Sequence, residues 1–112
     1  MLLCLFAVIS SWAQNPPPAL KSQAKASSAI VTAQAQFNRG DLTTAESSVW
    51  SVLSSNPNDE QALALLGMIR GRQQRYPEAE VLFGRVLQLN PKSVVAHTQL
   101  ASALAAQVAL VA

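Results

Sequence analysis

Six residues recur at a constant offset of 34: Ala45, Glu46, Val52, Leu53, Asn56 and Pro57 reappear as Ala79, Glu80, Val86, Leu87, Asn90 and Pro91. One helix, in one phase, is therefore written twice. Each copy is closed by Asn-Pro, because the residue before a proline is pushed out of helical geometry. Self-similarity at this period is the signature of a helix-turn-helix solenoid, an all-α superhelix whose surface is made by stacking. Function in such a chain is sought on that surface rather than in a catalytic cleft.

The composition agrees with an all-α reading. Half of the 112 residues are hydrophobic, 12% are charged and 5% are aromatic. Ala, Leu and Val supply most of the apolar content, which suits close helix packing and excludes a disordered chain. The net charge of +2 is spread along the sequence. No basic run with interleaved aromatics marks a nucleic-acid surface, so no nucleic-acid partner is expected.

The N-terminus reads as an export signal over residues 1–13. Leu2 to Ile9 is an apolar run too short to span a bilayer, and Ser11-Trp12-Ala13 supplies small residues at the third and first positions before a cut after Ala13. No Lys or Arg precedes the run, which departs from the usual signal. The expected location is periplasmic or extracellular in a bacterial host, with membrane attachment only through an uncleaved signal. Cleavage would remove Cys4, the only cysteine, and leave no thiol chemistry. Residues 14–20, with Pro16-Pro17-Pro18, read as an extended spacer.

The folded part then spans 21–112, with about five helices. The first runs from about Lys21 to Asn38 and ends at Arg39-Gly40-Asp41, where Gly40 can adopt the left-handed backbone. Leu42 to Ser55 follows, with Ala45, Val49, Val52 and Leu53 as its apolar stripe. Asn58 or Asp59 caps the next helix, Glu60 to about Gln73, which is apolar all round and so lies inside a stack. Gln74-Arg75 turns into a helix with Pro77 at its first position. Its buried stripe is Ala79, Leu82, Phe83, Val86 and Leu87, while Glu78, Glu80, Arg85 and Gln88 face water. A fifth helix follows from about Ser93.

With copies numbered from Ala26, Glu60 and Val94, the pattern resembles the tetratricopeptide repeat (TPR): 26–59, 60–93 and a partial copy over 94–112. The family's small eighth residue is Ala33, Gly67 and Ala101, and its twentieth, alanine, is Ala45 and Ala79. The large twenty-fourth residue is Val49 and Phe83, and the terminal proline is Pro57 and Pro91. The Leu-Gly pair is intact only as Leu66-Gly67. The aromatic eleventh residue is replaced by Gln36, Arg70 and Leu104, and the fourth, an aromatic or Leu in the family, is Ala29, Leu63 and His97. The first copy is thus degenerate and the second the best.

The resemblance implies a TPR-like helical-hairpin solenoid that binds a protein or peptide in a concave groove lined by the first helix of each copy. It places Ser27, Ile30, Gln34, Phe37 and Asn38 along that groove, followed by Gln61, Ala64, Met68, Gly71 and Arg72. The candidate binding residues are Gln34, Phe37, Asn38, Gln61, Ala64, Met68 and Arg72. The Lys and Asn set with which some members clamp a terminal carboxylate is absent.

Chemistry outside the groove is sparse. His97 stands at a packing position without a second His or a Cys to complete a site, so no metal, cofactor or catalytic group is expected. Asp59-Glu60 reads as a helix start, and Glu78 with Glu80 as a solvated edge. Arg70, Arg72 and Arg75 fall within about two helical turns. Their plain reading is favourable charge at a helix C-terminus; the sharper one is an anchor for a partner's acidic group. Trp50, one residue after the buried Val49, is expected to be partly exposed and to pack against the following copy rather than serve as a ligand platform.

No charged side chain follows Lys92. Polar Thr98, Gln99, Ser102 and Gln107 favour an interior repeat helix over a membrane span. Leu100, Leu104, Val108, Leu110 and Val111 would then be exposed unless a further helix, a partner or a second copy covers them. Three functional readings follow: a non-catalytic protein-binding scaffold, the N-terminal repeat segment of a larger enzyme such as a glycosyltransferase or peptidase, and a self-associating module using its apolar C-terminal helix.

Overall fold

The computed structural model describes residues 18–111, with side chains from 28 to 110. The export signal, Cys4, Trp12 and spacer residues 14–17 lie outside the described residues. Five helices follow one another: α1 Pro18–Asn38, α2 Leu42–Ser55, α3 Glu60–Arg72, α4 Tyr76–Leu89 and α5 Val94–Val111. α1 begins three residues before the expected start, so Pro18 to Leu20 belong to the helix rather than the spacer. Proline is tolerated there because the first turn has no intrahelical use for its missing N–H.

Each helix packs on the next, and α1 and α5 also touch α3. The central helix is thus enclosed by the other four, which is why it is apolar all round. Leu63, Leu65, Leu66 and Ile69 are buried on its different sides, together with Ala62 and Gly67. The core continues through Ala33, Phe37, Ala45, Val49, Val52, Ala79, Phe83 and Val86 to Ala96 of α5.

The repeat extends to the hydrogen bonds. Asp59 accepts from the Ala62 N–H at 3.0 Å, and Ser93, one repeat later, accepts from the Ala96 N–H at 3.2 Å. Asn56 Oδ1 accepts from Asn58 N–H and Asn90 Oδ1 from Lys92 N–H, at 3.3 and 3.2 Å. Each of these bonds satisfies a donor that a helix start or a tight turn leaves without a partner. Gln73 donates to Glu46 at 3.3 Å, and Gln107 to Glu80 at 3.1 Å, so the recurring glutamates tie each copy to the next. Glu80 is therefore half-buried and partnered, not part of a solvated edge.

Both hairpins turn on a left-handed residue. In the first it is Gly40, at φ 83°; in the second it is Gln74, at φ 63°. Matching bonds close the two turns, from Asp41 N–H to the Gln36 carbonyl and from Arg75 N–H to the Arg70 carbonyl, at 2.9 and 2.8 Å. A Cβ in that region meets the carbonyl oxygen, a strain glycine escapes. Gln74→Gly is expected to stabilise the chain by about 0.5–1 kcal/mol. A higher urea midpoint at unchanged slope would show it.

Candidate functional site

The first helices of the copies line one face. Between α1, α3 and α5 runs an open groove of about 580 Å³. Gln34 and Asn38 border it from α1, Gln61, Ala64 and Met68 from α3, and Val95 from α5. The hairpin turns bring residues 34 apart into register on this face, so the five candidates Gln34, Asn38, Gln61, Ala64 and Met68 come together. The amides dominate its polar character. Gln34 Nε2 donates to Asn38 Oδ1 at 3.1 Å, and Glu60 is already held by Asn90 Nδ2 at 3.1 Å. Ile30, Val31, Leu65 and Val95 give it an apolar floor.

The other two candidates lie apart. Phe37 is buried, and the Arg72 guanidinium sits over its ring, 4.4 Å from the centroid. Both border a second, smaller pocket of about 280 Å³ at the seam of α3 and α5, which also reaches Met68. Among the described residues Arg72 forms no ion pair.

The three arginines do not form one cluster: Arg70 and Arg75 meet at Glu78, while Arg72 stands apart over Phe37. Residues two apart on a helix point to opposite sides, so Arg70 is carried inward while Arg72 stays at the surface. Arg70 is buried, and all three guanidinium nitrogens are engaged: NH2 with Glu46 Oε1 at 2.7 Å, Nε with Glu78 Oε2 at 3.0 Å, and NH1 with Gln73 Oε1 at 2.8 Å. Arg75 lies 3.8 Å from the same Glu78 carboxylate. Arg70 is thus a buried structural ion-pair centre whose three guanidinium nitrogens are each engaged within the fold, and Glu78 is not simply solvated. The hydrogen bond from Arg70, followed in weight by those from Gln73 and Trp50, holds the Glu46 carboxyl below its ordinary pKa against the opposing effect of burial. The signal for this cluster was Arg70 at the eleventh position of its copy, where the repeat pattern has a packing aromatic.

Trp50 lies against the second copy, beside Leu66, Pro77, Val81 and Leu82, and is partly exposed, as expected. It is 48% exposed, and its indole N–H donates to Glu46 Oε1 at 3.3 Å. With Pro77, Val81 and Leu82 it forms a shallow apolar patch on the convex side. His97 is exposed, its Nε2 2.9 Å from the Pro91 carbonyl. On α5, Leu100 packs against the core, while Leu104, Val108 and Leu110 are exposed as expected. Among the described residues no helix is long and apolar enough to cross a membrane.

No family model and no curated protein matches the sequence. Among solved structures, the chain is similar to a mutant of the Thermobaculum terrenum O-GlcNAc transferase. The TM-score is 0.72 and the identity 29%, over 74% of this chain and 16% of that one. The fold is a TPR-like helical solenoid. The TPR-like segment spans about a sixth of the length of the transferase it matches.

Proposed function

We propose that this TPR-like solenoid binds a polypeptide segment in the groove between α1, α3 and α5, and does so without catalysis of its own. The observation that carries this reading is the alignment of Gln34, Asn38 and Gln61 above an apolar floor on one open face. Side-chain amides both donate and accept, so they can bind the backbone of an extended or helical peptide, while the apolar floor takes its side chains.

Panning a random dodecapeptide phage library on the full chain tests the proposal. Binders should lose at least about tenfold in affinity against Ala64→Glu, since an unpaired carboxylate in the floor costs about 1.4 kcal/mol or more. Failure to enrich any peptide, or binders indifferent to Ala64→Glu, would overturn it.

A second reading is supported by the similarity to the O-GlcNAc transferase. Here the solenoid is the repeat segment of a larger enzyme, and the groove presents polypeptide substrates to a catalytic domain. Sequencing the reading frame beyond Ala112 separates the two, since a glycosyltransferase domain in the same polypeptide favours the second and a stop codon the first. The export expected from residues 1–13 is compatible with either.

A further inference from the structure

The small pocket at the α3–α5 seam has a counterpart one repeat earlier, where it is filled. At the α1–α3 seam Phe37 is 5% exposed and buried in one core cluster with Leu65 and Ile69 of α3, with Met68 partly buried against that cluster. Shifted by 34 residues, Phe37 becomes Gly71, Leu65 becomes Gln99, Met68 becomes Ser102 and Ile69 becomes Ala103. Every one of the four is smaller or more polar. A Cβ built on Gly71 would meet nothing within 4 Å. The remaining void of about 280 Å³ lies just under the range of drug-sized ligand sites and is on the scale of a few side chains.

The rim adds charge. Arg72 stands at the mouth with one face on the Phe37 ring, and it forms no ion pair among the described residues. Stacking on an aromatic ring leaves the N–H edge of a guanidinium free to grip a carboxylate in two places.

We propose that this pocket receives an aromatic side chain of the bound polypeptide, with a neighbouring acidic residue gripped by Arg72. The inference rests on the groove reading above, since Met68 borders both spaces. It specifies the partner further: a segment with a phenylalanine-sized ring beside a carboxylate. The ring occupies at the second seam the place that Phe37 occupies at the first.

The test is a titration of the ¹⁵N-labelled full chain with the capped tetrapeptide acetyl-Ala-Phe-Glu-Ala-amide, followed by amide shifts. Shifts are expected at Gly71, Ser102 and Ala103, with a Kd on the order of 1 mM. Changing the peptide's glutamate to glutamine, or Arg72→Gln in the protein, should weaken binding about five- to tenfold. Gly71→Phe supplies the plug from within; it should abolish the shifts while keeping the melting temperature at or above that of the parent. Should that variant fail to fold, Ser102→Met fills the same space from α5 and must have the same effect on binding. Shifts at Gln34, Gln61 and Ala64 that survive Gly71→Phe would overturn the pocket and leave the groove reading standing. A titration without shifts at either place would also overturn the pocket, and the groove is judged independently by the panning experiment.

Discussion

Replacing Gly67 with leucine is expected to destabilise the solenoid by about 3 kcal/mol, the upper part of the usual range for overpacking. A Cβ at position 67 would stand 2.7 Å from Cζ and 2.8 Å from Cε1 of Phe83, closer than van der Waals contact allows. The Phe83 ring is 1% exposed in the core, and the only relief beside it is the small pocket at the α3–α5 seam that it lines together with Gly67. The first copy fills the same place differently, with Ala33 and Val49 where the second has Gly67 and Phe83, all four buried. The two pairs divide one space in different proportions. Gly67→Ala and Phe83→Val should each destabilise, the first by crowding and the second by leaving a cavity. Combined, they recreate the first copy's pair, so their cost should fall below the sum of the singles by about 1–2 kcal/mol. Urea melts of the four proteins measure this directly. Strictly additive costs would mean that α3 and α4 move apart to absorb each change and do not share a fixed space.

The Ala33 and Gly67 positions also show how much of the fold was legible in the sequence. Small residues, helix stops and apolar stripes are local, and they repeat, so a second copy reinforces every assignment made on the first. The turn at Gly40, the cap at Asp59 and the enclosure of α3 all followed from such signals. The groove residues Gln34, Asn38, Gln61, Ala64 and Met68 were legible for the same reason, since register along a repeat fixes which side chains share a face. What escaped the sequence depends on partners distant along the chain. Glu46 meets Arg70 and Gln73 across the seam between copies, and nothing local distinguishes it from a solvated helix glutamate. The pocket at Gly71 is visible only when the residues opposite it, Gln99, Ser102 and Ala103, are known to face it.

Arg70→Ala is expected to cost about 3 kcal/mol, close to the lower end for breaking a buried ion pair by removing one partner. Most of that cost arises at Glu46. Its carboxylate is about three-quarters removed from water and would keep only Gln73 and the Trp50 indole as donors. The Glu78 contact adds little, because that side chain is 55% exposed and retains Arg75 nearby. Arg70→Lys should recover only part of the loss, since a single ammonium cannot reach both carboxylates and Gln73 in the geometry of the planar guanidinium. Acid separates an electrostatic cause from a simple loss of packing. Because Arg70 holds the folded-state pKa of Glu46 below the ordinary value, the pair contributes fully above the unfolded carboxylate pKa. Its contribution fades as pH falls through the lowered folded value. The stability difference between parent and Arg70→Ala should therefore be widest at pH 7 and narrow as the pH falls through and below the ordinary carboxylate range. Adding Glu46→Gln to Arg70→Ala should narrow it at pH 7 as well, because the uncompensated charge is gone. Denaturation curves across that pH range decide the cause, since a gap of constant width would assign the loss to the packing of the arginine's aliphatic stem.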